Sequence, residues 1–131
     1  MGGRGAASGL SKHKYGTEYR SLLQVGNVKY VKNALKSSAS APLETKVKGR
    51  IYALINAKDE LKSINFYDKD GKRYKRIDVK GPAHPGKDGK KVLTPHVQYG
   101  YIGSKNDFAR KPNKSERKFM RKVLREWTKK T

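Results

Sequence analysis

Residues 50–80 read RIYALIN-AKDE-LKSINFY-DKDG-KRYKRIDVK, and this stretch decides the fold. Arg50–Asn56, Leu61–Tyr67 and Lys72–Lys80 are rich in Ile, Tyr, Phe and Val, and polar segments separate them: Ala57-Lys58-Asp59-Glu60 and Asp68-Lys69-Asp70-Gly71. Short β-prone runs bounded by turn residues predict a three-stranded antiparallel meander. The Asp-Lys-Asp-Gly segment opens like a calcium loop, but the remaining ligands of that twelve-residue pattern are missing. It reads instead as a hairpin turn in which Gly71 supplies a positive φ.

Alternation along a strand assigns the faces. On the third run Ile77 and Val79 point to the core, while Tyr74, Arg76, Asp78 and Lys80 point the other way. On the first, Ile51, Ala53 and Ile55 make one face, and Arg50, Tyr52 and Leu54 the opposite one. A sheet with one apolar face and one Arg/Lys/Tyr face suits nucleic acid, because cations meet phosphates and rings stack on bases. The competing reading is an ordinary solvated face.

Working outward, Tyr19–Val25 and Val28–Asn33 flank Gly26-Asn27 and predict a hairpin. A helix from Thr17 is the alternative, since Leu22 and Leu23 fit either period. Ser37 to Pro42 reads as a loop, as do residues 81–95 with their Gly81-Pro82-Ala83-His84-Pro85-Gly86 and Lys87-Asp88-Gly89-Lys90-Lys91 runs. His96–Ile102 is a candidate short strand, and Lys105–Lys114 a polar connection. Ser115 is placed to cap a helix running to about Lys129. Phe119, Met120, Val123, Leu124 and Trp127 fall on one stripe of that helix, and Lys118, Lys122, Arg125 and Lys129 on an exposed stripe. The expected fold is α+β: a twisted antiparallel sheet of four to five strands with a C-terminal helix packed on one face. Residues 1–14 read as a flexible basic arm or linker, with a short RGG-like Gly2-Gly3-Arg4-Gly5, and residues 15–131 as a single domain.

Charge sets the function class. In 131 residues there are 32 Lys and Arg against 11 Asp and Glu, a net charge of +21. Such an excess makes the compact state repel itself, and a polyphosphate partner relieves that repulsion while releasing condensed counterions. RNA is the expected partner. An anionic membrane is not, since no long apolar segment occurs. With no cysteine there is no disulfide, no thiol catalysis and no common zinc framework. Residues 1–14 contain no apolar stretch of secretory type. A phosphate-cradling glycine loop of nucleotide-hydrolase type and a serine nucleophile elbow are both missing from the sequence. His84 and His96 with Asp78 or Asp88 lack metal-ligand spacing. The expectation is therefore no metal and no cofactor.

The chemistry left open is RNA cleavage without a metal. It needs a base for the ribose 2′-hydroxyl, an acid for the leaving 5′-oxygen, and cations around the crowded phosphate. Histidine suits both proton steps because it titrates near neutrality. His84 and His96 flank the Gly/Pro-rich loop that follows Asp78 and Lys80, with Thr94, Tyr99 and Tyr101 nearby in sequence. His84 and His96 are thus candidate acid and base groups. Lys80, Arg50 and Arg76 are candidate phosphate ligands, and Tyr101 an orienting hydroxyl. Lys118, Lys122, Arg125 and Lys129 are candidates for binding nucleic acid from the helix, or for solubility alone. His13 lies in the arm, away from any positioned site.

The order of short motifs is itself informative. Gly2-Gly3-Arg4-Gly5-Ala6-Ala7-Ser8-Gly9, Tyr15-Gly16-Thr17-Glu18-Tyr19, Gly26-Asn27-Val28-Lys29-Tyr30-Val31, Pro42-Leu43-Glu44-Thr45 and Lys48-Gly49-Arg50-Ile51-Tyr52 follow one another. Then come Leu61-Lys62-Ser63-Ile64, Tyr67-Asp68-Lys69, Ile77-Asp78-Val79 and a histidine loop before Tyr99-Gly100-Tyr101. The series resembles a small domain found with head and minor capsid proteins of phages of Gram-positive bacteria. It is also similar to C-terminal nuclease domains of bacterial polymorphic toxins, grouped around the barnase–RelE-like RNase fold. The resemblance implies a twisted antiparallel sheet with a helix packed on it. In a toxin setting it implies RNA cleavage without metal and an acidic immunity partner; in a phage setting it implies assembly on the virion. The family's stretch before the Gly-Tyr pair is dense in histidine, whereas here it holds His96 alone, so only His84 and His96 carry over.

The resulting expectation is a toxin-like endoribonuclease domain acting on tRNA or another structured RNA, in the cytoplasm of a bacterial host or target cell. The rival is a non-enzymatic, virion-associated module binding nucleic acid or capsid protein through the same basic surface. An unrelated basic RNA-binding component comes third.

Overall fold

The structure, a computed structural model, describes residues 6–7, 19–33, 41–100 and 108–130. The readings made above for His13, Tyr101, most of the basic arm, the first part of the Ser37–Pro42 loop and the tail of the His96–Ile102 strand fall outside these residues. The elements are β1 (Ala6–Ala7), β2 (Tyr19–Val25), β3 (Val28–Asn33), β4 (Glu44–Thr45), β5 (Ile51–Ile55), β6 (Leu61–Tyr67), β7 (Arg73–Asp78), β8 (His84–Pro85), β9 (Lys91–Val92), β10 (His96–Tyr99) and α1 (Lys114–Lys130). The main sheet has six strands in the order β10-β7-β6-β5-β3-β2, and β1-β4 and β8-β9 form two small ribbons. The chain is α+β, with its one described helix on the sheet.

The meander forms as the sequence predicts: β5, β6 and β7 pair antiparallel in turn. The sheet is wider than expected, and one pair is parallel. Strand β5 runs alongside β3 with Val28 opposite Ile51 and Val31 opposite Leu54. Parallel neighbours need a long crossover, and the chain between β3 and β5 supplies it. Strand β10 adds the sixth member by pairing antiparallel with β7. The segment read as an uninterrupted loop, residues 81–95, contains the β8-β9 ribbon, which pairs His84 with Val92.

Strand β2 also explains its own ambiguity. The register shifts between Ser21 and Leu23, and a bulge lets consecutive residues face one side. Leu22 and Leu23 accordingly both pack on the core beneath the helix, so the hairpin replaces the alternative helix from Thr17.

That core joins Tyr30, Ala53, Ile55, Ile64, Ile77 and Val97 of the sheet to Val123 and Trp127 of α1. Phe119 and Met120 pack at its margin, but Leu124, assigned to the same stripe, faces outward. The helix begins one residue before Ser115, and its cap is Asn113. The Asn113 side-chain oxygen accepts from the Glu116 N–H at 2.8 Å while the Glu116 carboxylate accepts from the Asn113 N–H at 2.8 Å. These reciprocal bonds are a capping box.

The opposite face of the sheet is not a solvated platform. Tyr19, Val31, Ala41, Tyr52 and Leu54 form a second small core there, with Tyr67 packed against it. The Tyr52 and Tyr67 rings meet edge to face at 5.4 Å, and the Tyr67 hydroxyl donates to the Pro42 carbonyl. Tyr52 is fully buried, so it cannot stack on a base. Beyond that cluster the face carries Arg76 and Asp78 of β7, both half-buried.

The turn between β6 and β7 depends on Gly71. Its φ is +79°, and a Cβ there would lie 2.1 Å from the Thr45 carbonyl oxygen. That same strand accepts no retreat, because the Thr45 N–H donates to the Gly71 carbonyl at 2.8 Å. Gly71→Ala is expected to lower stability by at least about 1–3 kcal/mol, combining backbone strain with the clash. Urea titration followed by far-UV circular dichroism should show a lower midpoint with an unchanged slope.

Candidate nucleic-acid interface

On the face away from α1, a cleft of about 190 Å³ is lined by Ala41, Leu54, Lys62, Ser63, Arg73, Arg76, Asp78, Lys80, Gly81, Pro82 and His84. Cations predominate, and Asp78 is the single carboxylate among these residues. Strand register builds the polar group beside it. Ser63, Asp78 and His96 lie in one cross-strand row, and Asn65, Arg76 and Gln98 in the next.

Asp78 is the hub. Its Oδ2 accepts from Arg76 Nε at 3.1 Å and faces His96 Nε2 at 3.0 Å. The Arg76 guanidinium also donates to the Gln98 side-chain oxygen at 2.6 Å. The charge of Asp78 is thereby matched inside the network, and the cleft stays cationic. His96 is completely buried. Its Nδ1 lies 3.1 Å from the Val92 carbonyl oxygen, an acceptor, so this nitrogen carries a proton and donates. Both ring nitrogens are thus engaged with acceptor oxygens, and neither faces the cleft. His96 fits a positioning role.

His84 differs. It is half-buried and lines the cleft. Its ring meets that of His96 edge-on, with centroids 5.6 Å apart at 71°. Its Nδ1 is shut off from solvent and has no hydrogen-bond partner among the described residues. A buried polar atom without a partner costs stability and calls for an explanation. Pairing of β8 with β9 folds His84 back over His96, which is how two histidines twelve positions apart come into contact.

The sequence candidates therefore divide. His84, His96, Arg76 and Lys80 come together. Lys80 sits at the rim with its ammonium 3.0 Å from Glu60, and this contact holds the Glu60 carboxyl below its ordinary range. Arg50 stands beside the Tyr52 hydroxyl at the start of β5 and does not line the cleft. Lys118, Lys122, Arg125 and Lys129 are exposed on α1, across the sheet from the cleft. Tyr101 lies outside the described residues. Lys62, Arg73 and Gln98 belong to this region and escaped the sequence reading. Only the register, with Gln98 opposite Arg76, identifies the last of them.

Among the described residues no three His, Asp or Glu side chains gather as a metal site. No described helix is long and apolar enough to cross a membrane. Compared with protein-family models, curated proteins and solved structures, the chain matches none of them.

Proposed function

We propose that this chain binds RNA through the cleft and cleaves it by transesterification, with His84 as the proton-transfer group. The observation that carries this reading is His84 itself: a half-buried imidazole packed edge-on against His96 and lining a cleft rich in Lys and Arg. Arg76, Arg73, Lys62 and Lys80 supply positive charge where a phosphate gains negative charge in the transition state. A base removes the proton from the ribose 2′-hydroxyl, the 2′-oxygen attacks phosphorus, the bond from phosphorus to the 5′-oxygen breaks, and an acid protonates that oxygen. His84 serves as one of these proton carriers. The Asp78–His96–Arg76 network fixes its place. Structured RNA such as tRNA is the substrate class, in keeping with the toxin-like motif order, and an acidic inhibitor protein is the matching macromolecular partner.

The test is incubation of the purified chain with total RNA in EDTA, beside His84→Ala. Discrete fragments from the wild type, with the rate falling about 100-fold or more in the variant, are expected for loss of one proton-transfer group. RNA that stays intact yet shifts in a gel would defeat cleavage and leave a binding module, as in a virion-associated role.

A further inference from the structure

We propose that the outer face of α1 is a second RNA-backbone site that holds the RNA independently of the cleft. This inference rests on the RNA-binding part of the proposed function and not on cleavage. At 3.6 residues per turn, Arg117, Lys118, Arg121, Lys122, Arg125 and Lys129 fall within an arc of about 140°. The middle of that arc is diametrically opposite Val123, the buried centre of the helix's apolar side. All six are exposed.

The carboxylates of α1 do little to offset them. Glu116 is buried and bound to Arg110 and Lys75. Glu126, at the edge of the arc, approaches Lys129 only to 3.9 Å. Arg117–Arg121, Lys118–Lys122, Arg121–Arg125 and Arg125–Lys129 are four like-charge pairs at i,i+4 spacing, and each such pair destabilises a helix. A helix serving solubility alone would intersperse the two signs. This face instead keeps a repulsion that a row of phosphates relieves, with counterion release as the driving force. Since the sheet separates α1 from the cleft, contacts here leave the reacting group untouched.

The test uses the full chain carrying Lys118→Gln/Lys122→Gln/Arg125→Gln/Lys129→Gln, in the His84→Ala background so that the probe survives. Binding of a labelled single-stranded RNA is measured by anisotropy across a salt series. Affinity should fall tenfold or more at about 0.1 M salt, and the slope of log K against log salt should shrink by about 3, from about 0.7 per lost phosphate contact on single strands. The thermal midpoint should hold or rise as repulsion is removed. The two half variants, Lys118→Gln/Lys122→Gln and Arg125→Gln/Lys129→Gln, give the same readout should the quadruple one fail to fold. Unchanged affinity and slope would overturn this site while leaving the cleft reading intact. A wild type that binds no RNA would overturn both. Loss of binding to phosphatidylserine vesicles with unaltered RNA binding would reassign the face to membranes.

Discussion

Glu116→Ala is expected to lower the unfolding free energy by about 3–5 kcal/mol, the scale for removing one partner of a buried ion pair. Glu116 is only 6% exposed. Arg110 grips it with Nη1 at 2.8 Å and Nη2 at 2.9 Å, Lys75 Nζ lies at 2.6 Å, and the same carboxylate closes the capping box. Alanine leaves two cations facing each other and the Asn113 N–H without its acceptor. Hydrogen bonding from Arg110, followed by Lys75 and the Asn113 backbone, brings the Glu116 carboxyl down from 4.5 to about 2. Because the folded value is the lower one, the stabilisation is complete above the unfolded value and fades as pH falls from 4.5 through 2. The shift corresponds to roughly 3 kcal/mol. Urea titrations at pH 7, 4 and 2.5 should show the wild type losing that much while Glu116→Ala stays flatter. Parallel pH profiles for the two proteins would refute the role assigned to Glu116.

Trp127→Ala is expected to cost a similar 3–5 kcal/mol, the range for large-to-small changes at buried aromatic sites. Trp127 stacks on Tyr30 with ring centroids 5.6 Å apart and donates its indole N–H to the Asp59 carbonyl at 2.8 Å. Asp59 sits in the β5–β6 turn at φ +64°, so one side chain ties the end of α1 to the sheet and to a turn. The Tyr30 hydroxyl adds a bond to the Val123 carbonyl at 2.7 Å, and burial, with help from Glu126, pushes that hydroxyl up to about 12. Trp127→Phe keeps an aromatic ring against Tyr30 but loses volume and the donor, and should cost about 1–3 kcal/mol, less than alanine. Trp127 is the chain's one tryptophan, so unfolding is best followed by far-UV circular dichroism.

Strands whose boundaries are local could be read from the sequence. The β2–β3 hairpin and the β5–β6–β7 meander announce themselves through alternation and turn residues, with Gly26 at φ +60° and Gly71 at φ +79° as the turns require. The cap was misplaced at Ser115 although its signal was present: Asn113 precedes Glu116 by three positions, the spacing of a capping box, whereas Ser115 would place Lys118 there. Leu124 lies at the border of the apolar arc, where periodicity does not decide. What could not be read depends on long-range register. Nothing in residues 34–50 encodes that β5 will run parallel to β3. Likewise, Asp78 meets His96 only through the β7–β10 pairing, and His84 meets His96 only once β8 and β9 join. The residue types of the site were visible, and their meeting was not.

Transesterification at the 2′-oxygen is tested most directly with a defined RNA hairpin and its twin carrying a single 2′-deoxy nucleotide at the mapped cut site, both in EDTA. The wild type should cut the first, leaving a 2′,3′-cyclic phosphate and a 5′-hydroxyl, and should bind the twin equally well without cutting it. Cleavage of the twin at an equal rate, or fragments ending in 5′-phosphate and 3′-hydroxyl, would contradict the account.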